Sequence, residues 1–419
     1  MSKGRVAIAL SGGVDSSVAA LLLKRAGHEV LGIYIHLSSS PRSEYQAGHA
    51  EHVCHTLDIP FQIMDLRKEF ECYVVDYFCQ EYQYGRTPNP CIACNQHIKF
   101  GVLLNEVLSL DIDYLATGHY AQISQSPDLE PKELGVGRVI HLNSTSSMKR
   151  GGSEGNERMS LRAEGEAIFS QDKPRSYRYH LLKGVDTNKD QSYFLYTLSQ
   201  EKLSHILFPL GNYSKDEVQK IAKQEGLPVA SKSSQDICFV SEENYRAFLR
   251  ERLCQIPGDI VDIRGRVLGR HQGIAFYTIG QRHGLGLAFG KPLYVLGIEP
   301  EHNCIILGEK NELDRQEVIA KNLSWVCGMA PFELISVNAR IRYKSKEAPA
   351  TLLVRDDCVL VSFSQPQRAV TPGQAIVFYK GKEVLGGGTI HSSQPVPLYR
   401  GENIESEEFR NAHVPIAKP

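Results

Sequence analysis

The stretch ALSGGVDSS, residues 9–17, sets two glycines, a carboxylate and three hydroxyls between the apolar run Val6–Leu10 and the helix-forming segment SVAALLLKRAG. With no Cβ, Gly12 and Gly13 let backbone N–H groups close around phosphate oxygens, and Ser16 and Ser17 open a helix whose positive end faces the anion. The loop lacks the Gly-Lys-Ser/Thr ending of a Walker A turn. Asp15 would repel phosphate unless a Mg²⁺ lay between them. The expected ligand is therefore a metal-bound nucleotide gripped by its pyrophosphate, and the expected chemistry is transfer of AMP.

Thiols form the second constellation. Cys94, in TPNPCIACN, stands just before the helix-forming stretch Asn95–Leu108, where the helix dipole favours thiolate. Cys238, in SQDICF, follows Asp236 in a segment without periodicity, so its own surroundings leave a structural and a reactive role equally open. Cys91 and Cys94 make a C-x-x-C pair, but no second pair completes a zinc site. With Cys238 they supply three ligands, a set that suits an iron–sulfur cluster with one open iron. Cys54, Cys72, Cys79, Cys254, Cys304, Cys327 and Cys358 read as small buried hydrophobes.

These groups need elements to hold them, and a chain of 419 residues is long enough for two or three domains. The first 120 residues or so alternate strand-like and helix-like runs. Strands are expected at Val6–Leu10, Val30–Ile35, Phe61–Leu66 and Tyr114–Thr117, with helices at Ser16–Ala26, Ser43–Leu57, Lys68–Gln83 and Asn95–Leu108. That is a doubly wound α/β domain with a parallel sheet, whose ligands gather at the carboxyl ends of the strands. Residues 124–178 dissolve into Gly/Ser-rich sequence such as NSTSSMKRGGSEGNERMS and read as a largely disordered insertion. Ser214 and Glu217 have capping-box spacing, and Gly226 and Pro228 end the helix that follows. Beyond Gly290, LYVLGI, CIILG, ISVNARIRY, TLLVR, CVLVSF and QAIVFYKGKEVLGGGTI alternate like the strands of a small barrel. The expected plan is a catalytic domain over 1–208 to which 229–243 returns, a small helical middle domain over 209–300, a C-terminal β-barrel over 301–400 and a tail.

Net charge is −1, so a nucleic-acid surface must be local. MSKGRVAIAL runs straight into the glycine turn, with no room for a signal peptide, and VAALLL is too short to span a bilayer. A soluble, reducing, cytoplasmic setting without a membrane partner is expected.

SGGVDSS resembles the PP-loop of the ATP pyrophosphatases, which include GMP synthetase, argininosuccinate synthetase, NAD synthetase and the tRNA thiolases. The segments EYQYGRTPNPCIACNQHIKFG (81–101), ATGHYA (116–121), NKDQSYFL (188–195), SQDICF (234–239) and YTIGQRHGLG (277–286) are similar, in order, to the tRNA-specific 2-thiouridylase family. The resemblance covers nearly the whole chain outside the insertion. It implies that ATP adenylates the C2 oxygen of the wobble uridine of tRNA, after which a persulfide sulfur displaces AMP. It implies that Cys94 is the nucleophile, that Cys238 receives the persulfide, and that the two close a disulfide as sulfur is released. Ala9, Leu10, Ser11, Gly12, Gly13, Val14, Asp15, Ser16, Ile35 and Gly118 would line the ATP site, with Ile35 standing where methionine or leucine is usual. His119, Lys189, Asp190, Gln191, Arg342, Tyr343 and Gln374 match positions that touch or orient tRNA. Read alone, ARIRYKSK (339–346) is a solvated barrel strand, and the resemblance tips it toward RNA contact.

Many members of the family carry aspartate at the position of Cys91, which puts a carboxylate role there in doubt. Implied partners are tRNA and a persulfide donor, either a cysteine desulfurase or a sulfur carrier protein, and the chain is expected to be a monomer. The cluster ranks below the persulfide relay. A PP-loop amide or amidine synthetase is the rival reading, but it would have no need for Cys94 with Cys238, and no glutaminase domain is apparent. A non-catalytic RNA-binding protein is a second rival, against which the intact Ser11–Ser17 loop argues.

Overall fold

Arg5–Leu10 lies in the middle of a parallel sheet ordered Phe61–Asp65, Glu29–His36, Arg5–Leu10, Tyr114–Thr117 and Ile206–Leu207. The structure, a computed structural model, describes residues 4–127, 177–228, 237–240, 245–287, 290–331, 334–355 and 357–393. Most of the expected insertion, the tail and Asp236 lie outside the described residues. The parallel sheet, the middle sheet and the barrel core all belong to one compact unit. The first four strands agree with the sequence expectation to within one residue at each end. Side chains alternate across the sheet: Val6, Ile8 and Leu10 pack under Val14–Ala26 and Pro41–Thr56, while Ala7 joins the helices on the other face. Burial on both faces is what a parallel sheet requires. The order reverses at Arg5–Leu10, so the switch point falls between its carboxyl end and that of Tyr114–Thr117.

The helix over Val14–Ala26 closes on Gly27 at φ +82°, as its position predicts. Pro90–Ser109 is helical but kinked at Phe100 (φ −103°, ψ 17°), π-wound on either side of the kink within Cys94–Leu103, and it begins four residues ahead of Cys94. The capping box forms at the start of Lys215–Gln224, with Ser214 Oγ accepting from Glu217 N–H and the Glu217 carboxylate accepting from Ser214 N–H at 2.7 Å. Among the described residues no helix is long and apolar enough to cross a membrane.

The middle region carries the expected helix, Lys215–Gln224, and a second, Tyr245–Arg252, together with a four-stranded sheet ordered Tyr294–Glu299, Cys304–Gly308, Gly258–Asp262 and Val267–His271. Two of those strands, LYVLGI and CIILG, were expected in the barrel. Alternation fixes which face a strand buries but not which sheet it joins, and Val295, Ile305 and Leu307 bury against Ile260, Phe276 and Leu249 instead. The barrel runs in the order Asp314–Trp325, Cys358–Arg368, Ala348–Val354, Ile335–Arg340, Ala375–Lys380 and Glu383–Ser393. Pairing of its first and last strands, Val318 opposite Ser393, closes it around Leu352, Val361, Ile376 and Phe378.

A buried polar joint ties the barrel to the parallel-sheet domain. Asp190, 3% exposed, accepts from Gly184 N–H at 3.1 Å, Ser192 N–H at 3.1 Å and Ser192 Oγ at 3.0 Å. Arg340 of the barrel stands 3.6 Å from the same carboxylate and 2.9 Å from Glu347, which Lys183 also meets at 2.6 Å. Tyr193 donates its hydroxyl to Ala375 O at 2.8 Å, and the Gln374 amide donates to Thr87 O at 3.0 Å and Pro88 O at 3.1 Å. Asp190 therefore acts inside the protein. Asp190→Ala leaves buried donors without an acceptor and should lower the unfolding free energy by about 2–3 kcal/mol. Urea denaturation would read this as a lower midpoint, with Asp190→Asn recovering part of the loss. A wild-type midpoint for the alanine variant would show that the joint contributes nothing to stability.

Candidate active site

Leu10 ends its strand and the chain turns at Ser11–Gly13 into the helix. Gly12 adopts φ +70°, and a Cβ there would lie 2.6 Å from Gln46 O, so the turn admits only glycine. Gly13 occupies the cap without a side-chain partner, leaving the leading N–H groups to a ligand. Ser16 Oγ accepts from Ser11 N–H at 3.1 Å and donates to Gly13 O at 3.2 Å, while Ser17 Oγ donates to Gly13 O at 2.9 Å. These hydroxyls stiffen the turn from within.

Gly118, at the end of the neighbouring strand, presses on the same turn: a Cβ would fall 2.9 Å from Ser16 N and 3.0 Å from the Asp15 carbonyl carbon. Two residues on, Tyr120 donates its hydroxyl to Asp15 Oδ1 at 2.6 Å, and Lys215 Nζ reaches the same oxygen at 2.6 Å. Burial and the adjacent Asp15 push the Tyr120 pKa far up, so it remains a donor. Among the described residues neither contact involves Asp15 Oδ2. One carboxylate oxygen is the share that Mg²⁺ commonly takes from a protein, with water and substrate phosphates completing the octahedron. The donor set fits that ion. Ala9 lies opposite Ile33 and Thr117, and Ile35 is half-buried near the end of its own strand, on the same rim.

Cys94 lies inside the helix that starts at Pro90, and its N–H is bound to Pro90 O. The expectation of an N-terminal cysteine favoured as thiolate by the dipole is corrected accordingly. The thiol is 8% exposed, and burial pushes its pKa up to about 12, with Cys238 and Cys91 adding to the rise and Lys99 opposing it. Lys99 lies five residues beyond Cys94 in the same π-wound stretch, just before its kink at Phe100. The same lysine bears on Cys91 and His119. Cys91 is exposed, yet crowding of its sulfur still raises the pKa, with Cys238 as a second cause.

Cys238 is exposed as well, on a short segment anchored by Phe239, whose ring meets Phe70 at 5.6 Å, Phe78 at 5.3 Å and Phe248 at 5.4 Å. All three thiols thus share one electrostatic neighbourhood. Among the described residues no group of three or more His, Cys, Asp or Glu is arranged to hold a metal ion. Of the other cysteines, Cys54, Cys79 and Cys358 are buried as expected, while Cys72 and Cys254 are exposed.

His119 joins the loop to the thiols. It is 8% exposed, bonds Thr117 Oγ1 through Nδ1 at 2.7 Å, and packs against Phe100 and Phe208. Burial, reinforced by Lys99, holds its pKa well below the ordinary value, so the ring is neutral near pH 7. Gln191 clamps Tyr120 by accepting its N–H at 3.0 Å and donating N–H to its carbonyl at 2.9 Å. Lys189 is half-buried, with its N–H on Asp186 O. Tyr343 packs on Phe194 with ring centroids 4.4 Å apart and lies within electrostatic range of Cys91. Arg342 donates to Ala369 O and, at 2.8 Å, to Thr371 Oγ1, holding a loop of the barrel. Sequence reasoning missed Tyr120, Lys99 and Lys215. The capping box marked where Lys215 begins a helix, but no spacing connects it to Asp15.

Family models match along the chain: the tRNA methyl transferase HUP domain at 4–146 and 166–242, the tRNA methyl transferase PRC-barrel domain at 246–309, and the aminomethyltransferase beta-barrel domain at 315–390. The tRNA-specific 2-thiouridylase MnmA of Carboxydothermus hydrogenoformans is 42% identical over 406 residues, covering 93% of this chain and 98% of the relative. That of Moorella thermoacetica is 44% identical over 400 residues, covering 92% and 99%. A solved structure, the U34-tRNA thiolase NcsA from Methanococcus maripaludis with its [4Fe-4S] cluster, matches at 18% identity over 59% of this chain and 62% of that one, with a TM-score of 0.30, too remote to bear on the chemistry here. Since the identity to the MnmA proteins runs through nearly the full length of both partners, the chain belongs to the tRNA-specific 2-thiouridylase family.

Proposed function

We infer that this protein is a tRNA-uridine 2-sulfurtransferase, which adenylates the C2 oxygen of the wobble uridine with ATP and then replaces that oxygen with sulfur from a persulfide. The observation that carries this reading is the joining of a lysine-free phosphate loop and the Cys94 neighbourhood by one turn, Thr117–Tyr120, where Gly118 touches the loop and His119 reaches Phe100 and Lys99. An adenylating site beside a set of thiols fits sulfur transfer, whereas an amide synthetase has no use for it. The parallel-sheet domain would hold ATP along Ala9–Ser16, Ile35 and Gly118, and Mg²⁺ bound at Asp15 would offset the charge of the phosphates.

His119, Lys189, Gln191 and Tyr343 would meet the unstacked uridine, while Asp190 and Gln374 tie the barrel to the parallel-sheet domain and Arg342 holds a barrel loop. The helices, middle sheet and barrel would grip the rest of the tRNA in a cytoplasmic, monomeric enzyme. An uridine C2 oxygen attacks the α-phosphate and pyrophosphate leaves. A donor, a cysteine desulfurase or a sulfur carrier, loads Cys238 as a persulfide. The outer sulfur of Cys238 attacks C2 and AMP departs with the oxygen. Cys94 then attacks the Cys238 sulfur, which breaks the S–S bond, frees 2-thiouridine and leaves a Cys94–Cys238 disulfide for a small thiol to reduce. With its pKa near 12, Cys94 rests as a thiol and must lose its proton during that last step, beside Lys99.

Two outcomes test the division of labour. Cys238→Ser should abolish thiolation while tRNA-dependent exchange between ATP and pyrophosphate survives, and Asp15→Ala should remove both. Normal thiolation by Cys238→Ser with a persulfide donor would overturn the relay. Cys91→Ser should lower single-turnover thiolation only modestly, because in the relay Cys91 carries neither sulfur nor electrons. Stoichiometric iron in anaerobically purified wild-type protein, lost together with activity in Cys91→Ser, would replace the relay with a cluster mechanism.

A further inference from the structure

The helices Val14–Ala26 and Lys215–Gln224 lie side by side and run in the same direction. Asp15 pairs with Lys215 at 2.6 Å at their leading ends, and Arg25 pairs with Glu225 at 2.5 Å at their trailing ends. Val218 and Ala222 of the second helix bury against the hydrophobic face of the first. Both positive helix ends therefore converge on the loop Ser11–Ser17. Lys215 begins the second helix and is held tightly there. Its backbone N–H donates to Asp186 Oδ2 at 2.9 Å, and the residue before it is fixed by the Ser214–Glu217 box. The side chain is only 16% exposed.

The far pair, Arg25 with Glu225, already fastens the helices, so their packing does not depend on a lysine at the near end. A cation at the near end instead weakens Asp15 as a ligand for a metal ion, unless a second anion takes the lysine over when metal and nucleotide arrive together. The anion present at that moment is the polyphosphate. The long flexible stem of lysine permits the exchange with the helix start unmoved. We propose that Lys215 is the pyrophosphate-binding lysine of this site, supplied from a helix two hundred positions along the chain in place of the one that the loop lacks. The proposal rests on the ATP-dependent activity inferred above. In the unliganded protein Lys215 neutralises Asp15, and with Mg·ATP it transfers to the β- and γ-phosphates and stabilises the charge that builds on the departing pyrophosphate.

Calorimetric titration of the full-length protein with Mg·ATP, Mg·pyrophosphate and AMP tests this. Lys215→Met should weaken Mg·ATP and Mg·pyrophosphate by about tenfold or more while AMP shifts by less than about twofold, and Lys215→Arg should recover part of the loss. Unchanged Mg·ATP affinity, or equal losses for ATP and AMP, would overturn the assignment and leave Lys215 as a support for Asp15. Should Lys215→Met fail to fold, acetylation of Lys215 in the wild-type protein, followed by peptide mass spectrometry, gives the same answer. Mg·pyrophosphate should protect it and AMP should not, and equal protection by both would overturn the proposal. Wild-type protein that binds no Mg·ATP would instead defeat the ATP reading itself.

Discussion

The close approach of Gly118 to the backbone of Asp15 and Ser16 is the constraint on which the site depends. Two parallel strands separate at the switch point, and at this residue the second returns to within van der Waals contact of the loop that follows the first. Any side chain at position 118 would force them apart. Because they meet, the Tyr120 hydroxyl arrives at Asp15, and because Tyr120 is clamped on both backbone groups by Gln191, the segment 188–195 is fixed to the same place. Asp190 extends the path through Arg340 into the barrel. A continuous line of hydrogen bonds and ion pairs thus runs from the phosphate loop to the domain farthest from it in sequence, with a single glycine as its first link.

Burial and reactivity pull against each other at Cys94. A buried thiol is protected but is a poor nucleophile, since desolvation penalises the thiolate. The charge of Lys99, five residues on in the same stretch, opposes this locally. That charge bears on Cys94, Cys91 and His119 together. His119 responds in the opposite sense: burial and the same cation keep its ring neutral, so it adds no positive charge of its own near pH 7.

The parallel sheet was legible because each strand is a short apolar run bounded by turn residues, and the loop because its glycines and hydroxyls sit at a strand–helix junction. The strand Ile206–Leu207 was not, for two residues carry no period. The middle sheet escaped because LYVLGI and CIILG show the same alternation as true barrel strands, and only Val295, Ile305 and Leu307 packing under Leu249 separates them. Cys94 was found but its setting was misjudged, since Pro90 begins the helix one turn earlier than the hydrophobic pattern suggests. Lys215 and Tyr120 were invisible for a different reason: their meeting at Asp15 is made by helix packing and strand return, neither of which leaves a mark in local sequence.

A net charge of −1 is an unfavourable starting point for a protein whose relatives are named for tRNA. Much of the positive charge around the site is also committed internally: Arg340 to Asp190 and Glu347, Arg342 to Ala369 and Thr371, Lys183 to Glu347, and Lys215 to Asp15. Such pairs remove charge from the long-range field but fix geometry, because a guanidinium or ammonium held by two partners also holds those partners. Arg342, matched by resemblance to a tRNA contact, shows the consequence. Its guanidinium sets the loop at Ala369–Thr371 while the adjoining Tyr343 presents its ring beside Phe194. A surface built this way would recognise RNA through placed aromatic rings and fixed hydrogen-bonding groups more than through a sheet of free charge, which suits an unstacked base better than a duplex backbone.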